Sequence, residues 1–247
     1  MVKQCSLIVF STVFLVLPFL KERGWILKNA EQFNSEATFK FASSKKHDLI
    51  SINQHYPEIK VELKYATNDN FMKQVLYTIW KDAYVQKSVG QKLLRAQNRL
   101  TALKPGYHLL VYDAARPLSV QVLMWNGLDT MPVKERMKFV SPPSSRSLHN
   151  FACALDLTIC DENGVPLDMG AGFDDPRKIA YPSMEAKFLS EGKLTETHIA
   201  NRKLLRKVMS FGGFSGISTE WWHFNAYSKK EAMSKFAVIE TEESINQ

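Results

Sequence analysis

The sequence predicts an α+β domain in which helices flank a central antiparallel sheet. Residues 59–65 alternate between apolar and polar side chains, which is typical of a half-buried strand. Residues 152–160 place large apolar side chains at alternate positions, as in a core strand. Between these segments, residues 89–103 carry apolar side chains at helical spacing, and Lys104-Pro105-Gly106 ends that helix. Strands and helices therefore follow one another along a single chain.

Three further segments complete the predicted domain. A short apolar strand over residues 107–112 leads into Asp113–Pro117, after which a second helix begins. A third helix ends at Gly212-Gly213, and the aromatic residues 221–224 favour a strand. Arg116 therefore lies where a strand ends and a helix begins, a position from which a side chain can project into a cleft.

The length of 247 residues is enough for one well-buried domain. We place that domain at residues 48–227, after a mixed polar linker at residues 24–47. Residues 228–247 are polar and are expected to form a loose tail. Residues 1–23 are interpreted as an export signal or a membrane anchor.

The interpretation of the N-terminus rests on a short apolar run. The uncharged run Cys5–Leu20 follows a basic start at Lys3, which is typical of an export signal. A helix over this run would span about 24 Å, less than the roughly 30 Å of a hydrocarbon layer. A clear A-x-A cleavage site is missing, so an uncleaved anchor remains an alternative, as does a buried N-terminal helix. We expect a protein exported to the periplasm or cell envelope.

Charge and cysteine content exclude other classes of function. The net charge of +7 is spread along the chain without long basic runs or a nucleic-acid motif, so we expect no nucleic-acid partner. The three cysteines, Cys5, Cys153 and Cys160, do not form a disulfide framework. C-x2-C spacing is absent, which argues against a cysteine-based zinc site.

Two short stretches carry the candidate chemistry. One contains His149 and Asp156, and the other contains Glu220 and His223. Two histidines and an aspartate can hold a catalytic zinc ion, with the fourth position left for water and a nearby carboxylate as general base. We therefore predict one zinc ion per chain, bound by His149, Asp156 and His223, with Glu220 as the base.

The spacing of these residues sets a structural condition. His149 lies seven residues before Asp156, an odd separation that places two side chains on opposite faces of a straight strand. They can meet only if residues 149–151 form a loop or bulge. Taken alone, His149 is more consistent with a surface loop than with a metal ligand, and residues 220–223 are equally consistent with a buried aromatic strand. Arg116 is a candidate for stabilising an oxyanion or, alternatively, for a surface ion pair.

At these residues the chain resembles the VanX-type D-alanyl-D-alanine dipeptidases, zinc peptidases related to D-Ala-D-Ala carboxypeptidases and to the hedgehog signalling domain. The two stretches are similar to the family patterns S-x-H-x-x-G-x-A-x-D and E-x-W-H. Three more segments resemble its Y-A-T-x-x-N-F, D-G-Y-R-P and M-G-x-x-F-D segments. Ser147–Asp156 matches the first of these patterns and Glu220–His223 the second. The other three segments are Leu63–Phe71, Asp113–Pro117 and Met169–Asp174, in the order of the patterns just given.

The resemblance implies a hedgehog/D,D-peptidase-like fold with a single zinc ion in a cleft. It implies the same three zinc ligands, Glu220 as catalytic base and Arg116 as the residue that stabilises the transition state. It further implies that Tyr65 and Asp174 hold the free amino group of a small D,D-dipeptide. Ser147 is implied to lie near this dipeptide. The implied activity is hydrolysis of D-Ala-D-Ala to D-alanine in cell-wall turnover.

The chain also departs from the family patterns. Ala152 replaces a glycine, Ala114-Ala115 replace Gly-Tyr before Arg116, and Leu148 replaces a serine that some members have. If position 152 needs a positive φ, alanine there costs about 1 kcal/mol or more. Two alternative functions remain open at this point. One is a D,D-carboxypeptidase or endopeptidase that acts on longer peptidoglycan stem peptides, and the other is a non-catalytic binding protein on a zinc scaffold.

Overall fold

The structure of the protein is a computed structural model that describes residues 47–246. The predicted signal or anchor at residues 1–23 and nearly all of the linker at 24–47 lie outside the described residues. In the described part, the strands are β1 (Leu49–Ser51), β2 (Lys60–Val61), β3 (Tyr84–Gln86), β4 (His108–Asp113), β5 (Ala154–Cys160), β6 (Ser215–Gly216) and β7 (His223–Asn225). The α-helices there are α1 (Ile52–His55), α2 (Lys87–Leu103), α3 (Leu118–Gly127), α4 (Val133–Arg136), α5 (Glu185–Ser190), α6 (Glu196–Gly212) and α7 (Lys229–Lys235).

A five-stranded sheet in the order β2-β4-β5-β7-β6 forms the centre of the domain, and β1 pairs with β3 in a separate ribbon. Neighbouring strands from β4 to β6 are antiparallel, whereas β2 at the edge runs parallel to β4. All seven residues of β5 are buried, because this strand is covered on both faces. The predicted α+β fold is confirmed, with one parallel edge strand added to the antiparallel sheet.

The first predicted strand is much shorter than its apolar alternation suggests. β2 covers only Lys60–Val61, and residues Lys64–Ala66 form a 3-10 turn. The backbone carbonyl of Tyr65 accepts hydrogen bonds from the N–H groups of Leu76 and Tyr77, at 2.8 and 2.9 Å. The backbone around Tyr65 therefore bonds to a loop instead of continuing the sheet, and tertiary contacts override the local pattern.

The two long helices α2 and α6 pack against each other beside the sheet. As predicted, α6 ends at Gly212, and Gly213 continues in a left-handed conformation with φ of 92°. A Cβ atom at Gly212 would lie 2.7 Å from the Lys92 carbonyl oxygen, so a glycine is needed for this close approach. None of the helices in residues 47–246 is long and apolar enough to cross a membrane.

The predicted loose tail after residue 227 is wrong for the described residues up to 246. Residues 229–235 form α7, and Ile239 is fully buried in the core. The Ile239 N–H donates to the Asn150 carbonyl, and its own carbonyl accepts from the Leu118 N–H, both at 2.8 Å. The polar composition of the segment conceals this docking, because backbone groups and a few apolar side chains, among them Ala232 and Ile239, make the contacts.

Candidate active site

Neighbouring strands bring the three predicted metal ligands together. Asp156 on β5 lies directly opposite His223 on β7 in the antiparallel register. His149 lies on a 3-10 helix, Leu148–Phe151, that enters β5. One ligand atom from each of the three side chains lies within 4.8 Å of the other two. The sheet register therefore explains one pair, and the local turn before β5 explains how His149 joins it.

The turn before β5 meets the condition set by the spacing. Ala152 has φ of 53° and ψ of 36°, a left-handed conformation that ends the 3-10 helix and redirects the chain. The Ser147 hydroxyl caps this helix by accepting a hydrogen bond from the His149 N–H at 3.3 Å. Asn150 completes the capping box by accepting from the Ser147 N–H at 2.7 Å. The turn is thus held by its own side chains, despite alanine at the left-handed position.

Two outer acceptors fix how the histidines face the cluster. The Nδ1 atom of His149 lies 2.6 Å from the Ala114 carbonyl oxygen, and Nε2 of His223 lies 2.8 Å from Oδ1 of Asn225. Because both partners are acceptors, each of these ring nitrogens carries its hydrogen. The lone pairs of the other nitrogens, Nε2 of His149 and Nδ1 of His223, then point inward.

The inward-facing atoms form a set that a cation would satisfy. The two nitrogens are 3.2 Å apart, and Asp156 oxygens lie 3.0 Å from the His223 nitrogen and 3.4 Å from the His149 nitrogen. Three acceptors at this separation repel one another unless a proton or a metal ion lies between them. Two imidazoles and one carboxylate are the ligands of many catalytic zinc sites, so the donor set fits zinc.

The pKa shifts of the clustered side chains also indicate a site for a cation. Burial lowers the pKa of His223, but its contact with Asp156 outweighs burial and raises that pKa to about 9. Burial likewise raises the pKa of Asp156, but the two histidines outweigh it and hold the carboxylate pKa well below its usual range. The space between these side chains therefore stabilises positive charge strongly.

Arg116 lies beside the cluster and is held by a buried aspartate. Its Nε and Nη2 atoms donate to Oδ2 of Asp113 at 2.9 and 2.7 Å, and Nη2 lies 3.4 Å from Oδ2 of Asp156. Asp113 is fully buried and also accepts a hydrogen bond from the Tyr77 hydroxyl at 2.5 Å. The prediction did not include Asp113 or Tyr77 as site residues. The available signal was a carboxylate at the end of an apolar strand, three residues before the arginine.

The Ala114-Ala115 departure does not displace Arg116. Both alanines are buried, and their backbone carbonyls accept from His149 and from the Tyr77 hydroxyl. The Arg116 N–H donates to the His149 carbonyl at 2.9 Å, which ties the arginine backbone to the turn that carries a predicted metal ligand.

Glu220 is partly exposed at the edge of the cluster. Its Oε2 atom lies 3.8 Å from Nδ1 of His223. Burial raises the pKa of Glu220, while the neighbouring His223 acts to lower it. A carboxylate with a raised pKa beside a metal site is suited to accept a proton near neutral pH.

Tyr65 and Asp174 form a second acidic position in the cleft. The buried Tyr65 hydroxyl donates to both carboxylate oxygens of Asp174, at 3.1 and 2.9 Å. Burial raises the Tyr65 pKa well above its ordinary value, and Asp174 raises it further, so the hydroxyl remains a donor. Burial also raises the Asp174 pKa, and the nearby Asp156 adds to this shift. The structure thus brings together all the predicted residues of this pair and of the metal cluster.

Comparisons with known proteins place the chain among peptidases. A D-alanyl-D-alanine dipeptidase of Escherichia coli (strain K12) is 34% identical over 185 residues, covering 72% of this chain and 83% of that protein. One from Enterococcus faecalis (strain ATCC 700802 / V583) is 30% identical over 185 residues, covering 67% and 85%. A similar solved structure, of an LD-carboxypeptidase, has a TM-score of 0.43 and 18% identity, covering 77% of this chain and 72% of that one. The family described as D-ala-D-ala dipeptidase matches residues 45–239, and the chain therefore belongs to this family, Peptidase_M15.

Proposed function

We propose that the protein hydrolyses the dipeptide D-Ala-D-Ala to D-alanine and that it uses one zinc ion. The charge of the cleft carries this proposal. Four carboxylates lie together in the cleft, and Arg116 is the cation beside them. The carboxylates belong to Asp113, Asp156, Asp174 and Glu220. When these four carboxylates are ionised and the histidines are neutral, the cleft has three excess negative charges. A divalent metal ion and the free ammonium group of a dipeptide together supply three positive charges.

Asp174 supports the preference for a dipeptide. It is paired with a donor, the Tyr65 hydroxyl, and none of the cationic side chains within residues 47–246 is hydrogen-bonded to it. An ammonium group bound here would be paired with a carboxylate in a partly buried setting. A substrate whose amino terminus is acylated would leave that carboxylate buried without a partner of opposite charge, which is costly. This contrast disfavours longer stem peptides as substrates.

The mechanism assigns a role to each residue around the scissile bond. Zinc held by His149, Asp156 and His223 would act as a Lewis acid that polarises the peptide carbonyl and acidifies the attacking water. Glu220 takes the proton of that water and passes it to the leaving amine. Burial raises the pKa of Glu220, which makes it a stronger proton acceptor than an exposed glutamate.

Arg116 donates hydrogen bonds to the oxygen that becomes negative during attack. Its guanidinium plane is fixed by two hydrogen bonds to Asp113 and by the Tyr65 ring, whose centroid is 5.0 Å from the guanidinium carbon. A donor that is already oriented needs no reorganisation when the charge appears. Ser147 caps the His149 turn, and a contact between Ser147 and the dipeptide stays a prediction.

The proposed setting is the cell envelope, where D-Ala-D-Ala from wall turnover is available. The basic start and the apolar run Cys5–Leu20 support export. Separating periplasmic, membrane and cytosolic fractions of cells that carry the full chain would test this. Recovery in the cytosol alone would contradict it.

The activity is tested with purified protein, added zinc and three substrates: D-Ala-D-Ala, L-Ala-L-Ala and an acylated tripeptide ending in D-Ala-D-Ala. We expect D-alanine release from the D,D-dipeptide and little or none from the other two. Glu220→Gln should lower kcat by about 10²–10⁴-fold, the typical contribution of a general base, while the protein still binds zinc. Release from the acylated tripeptide alone would favour a carboxypeptidase. No release from any substrate, or equal activity of Glu220→Gln, would refute the proposal.

A further inference from the structure

The segment that carries Asp174 has little regular structure of its own. We call residues 168–179 the anchor loop. Asp174 has φ of 60°, which is uncommon for any residue other than glycine. Such a conformation persists only where surrounding contacts determine it. The contacts that hold the anchor loop therefore decide where the Asp174 carboxylate lies.

One buried arginine holds both ends of the anchor loop. Arg202 on α6 is fully buried. Its Nε atom donates to the Met169 carbonyl at 2.7 Å, and its Nη2 atom donates to the Ile179 carbonyl at 3.0 Å. These carbonyls lie five residues on either side of Asp174. The rigid fork of the guanidinium thus fixes the separation of the two ends.

The neighbouring residues of α6 hold only the beginning of the loop. Asn201 donates to the Asp168 carbonyl at 2.8 Å, and His198 contacts the Asp168 carboxylate at 3.1 Å. Neither reaches the end of the anchor loop at Ile179. Arg202 is therefore the α6 residue that links the two ends.

Packing alone does not account for an arginine at this position. Burial lowers the pKa of Arg202, and its acidic neighbour, Glu185, is 3.6 Å away. A buried charge is expensive, and an apolar side chain of similar volume fills such a site at less cost. What an apolar side chain cannot supply is the pair of directed hydrogen bonds to the loop.

We propose that Arg202 is a positioning residue for substrate selectivity, which places Asp174 to receive the free amino group by fixing both ends of the anchor loop. This inference rests on the proposed dipeptidase function. Arg202 acts through the loop backbone and does not touch the dipeptide. Its effect is expected on substrate binding, since the metal ligands, Glu220 and Arg116 lie on other elements.

The test compares Arg202→Met and Arg202→Lys with the unaltered protein. The readouts are KM and kcat for D-Ala-D-Ala and the inhibition constant of N-acetyl-D-Ala-D-Ala. We expect KM to rise about tenfold in both variants, with kcat changed by less than about threefold, because ground-state and transition-state binding of the amine weaken together. The inhibition constant of the acetylated compound should stay within about twofold, because this compound has no ammonium group to lose.

Arg206→Met is the matched control. Arg206 lies one turn further along α6 and donates to the same Glu185, at 2.7 and 2.8 Å, without reaching the anchor loop. We expect its KM to equal that of the unaltered protein. Zinc content is measured for every variant and should be unchanged.

Three results would overturn the inference. The first is an unchanged KM in Arg202→Lys. This variant keeps the buried charge, so it still tests the inference if Arg202→Met fails to fold. The second is an equal loss of affinity for D-Ala-D-Ala and N-acetyl-D-Ala-D-Ala, which would indicate that the whole binding site is disturbed and not the amine position alone. The third is an equal effect of Arg206→Met. Absence of dipeptide hydrolysis in the unaltered protein would instead refute the proposed function.

Discussion

Ala152 combines a left-handed backbone with a fully buried methyl group. The left-handed conformation costs an alanine about 1–2 kcal/mol. Burial of one methyl group returns about 0.8 kcal/mol, and alanine also loses less backbone entropy on folding than glycine. These opposing effects are of similar size. They explain how alanine can occupy the position where the family pattern has glycine without displacing His149.

A comparison of two glycine substitutions tests this balance. Ala152→Gly should change the free energy of unfolding by less than about 1 kcal/mol, because relief of backbone strain offsets the lost methyl contacts. Ala154→Gly is the matched control, since Ala154 is equally buried but lies in β5 with no positive φ. It should cost about 1.3–1.8 kcal/mol, the sum of lost burial and added chain entropy. Chemical denaturation measures both, and equal losses would contradict the strain at Ala152.

Asp174 illustrates a conflict between binding and stability. Burial raises its pKa in the folded protein well above the value of about 3.9 for an aspartate in an unfolded chain. Between these two pKa values the folded state keeps a proton that the unfolded state has released. The stability that this proton confers is complete below the unfolded pKa and is lost as the pH rises through the folded pKa.

Asp174→Asn should therefore stabilise the protein at neutral pH in the absence of substrate. Asparagine is neutral, tolerates the left-handed backbone and can still accept from the Tyr65 hydroxyl. We expect Tm to rise by about 2–4 °C at pH 7, equivalent to about 1 kcal/mol for a domain of this size. Thermal unfolding from pH 4 to 8 measures the difference, which should shrink toward pH 4. A variant that is less stable at pH 7 would contradict the prediction, whereas KM should rise in either case.

The segment after α7 is hydrogen-bonded to a loop that lies much earlier in the sequence. The Glu242 carboxylate accepts hydrogen bonds from the backbone N–H groups of Thr78, Ile79 and Trp80, at 3.0, 3.1 and 2.8 Å. The indole of Trp80 also donates to the Glu242 carbonyl at 2.7 Å. We call these hydrogen bonds of Glu242 the clasp. Because Tyr77 belongs to the same loop, the clasp helps to hold the Tyr77 hydroxyl against Asp113, which in turn binds Arg116.

Glu242→Gln should destabilise the protein by about 2 kcal/mol, because one oxygen becomes an NH₂ group that faces backbone donors and leaves them unpaired. Glu243→Gln is the control, because Glu243 is exposed and makes none of these contacts with the loop. It should change the free energy of unfolding by less than about 0.5 kcal/mol. Urea denaturation of the two variants measures the difference. Similar stabilities of both variants would show that the clasp contributes little.

On the scale of the whole domain, the convergent ligands predict that metal binding and folding are coupled. A metal ion that binds only the folded state stabilises it by about 2.7 kcal/mol at a free concentration of one hundred times Kd. Chelation should then lower Tm by about 5–10 °C. The response should persist in Glu220→Gln and disappear in His223→Ala. A Tm that does not respond to zinc or chelator in the unaltered protein would contradict the assignment of the metal site.

The His/Asp/His cluster could be predicted because each of its residues shows locally in the sequence. Asp156 is a carboxylate within an apolar strand, and His149 and His223 lie in stretches that resemble family patterns. Asp113 pairs with Tyr77 across 36 positions, and Glu242 pairs with Thr78 across 164. Such contacts leave no periodic signal, because either partner alone is consistent with an exposed polar residue. The docked segment after residue 227 was missed for the same reason.

The separation between Glu242 and its loop also bears on how the enzyme is made. A contact across so many residues cannot form until the intervening chain has been synthesised, and long-range contacts of this kind slow folding. The loop that contains Tyr77 therefore stays without its clasp while β4, β5 and β7 are being produced. A nascent or truncated chain that ends before residue 242 has all three proposed metal ligands but lacks the hydrogen bonds that Glu242 makes to the loop carrying Tyr77.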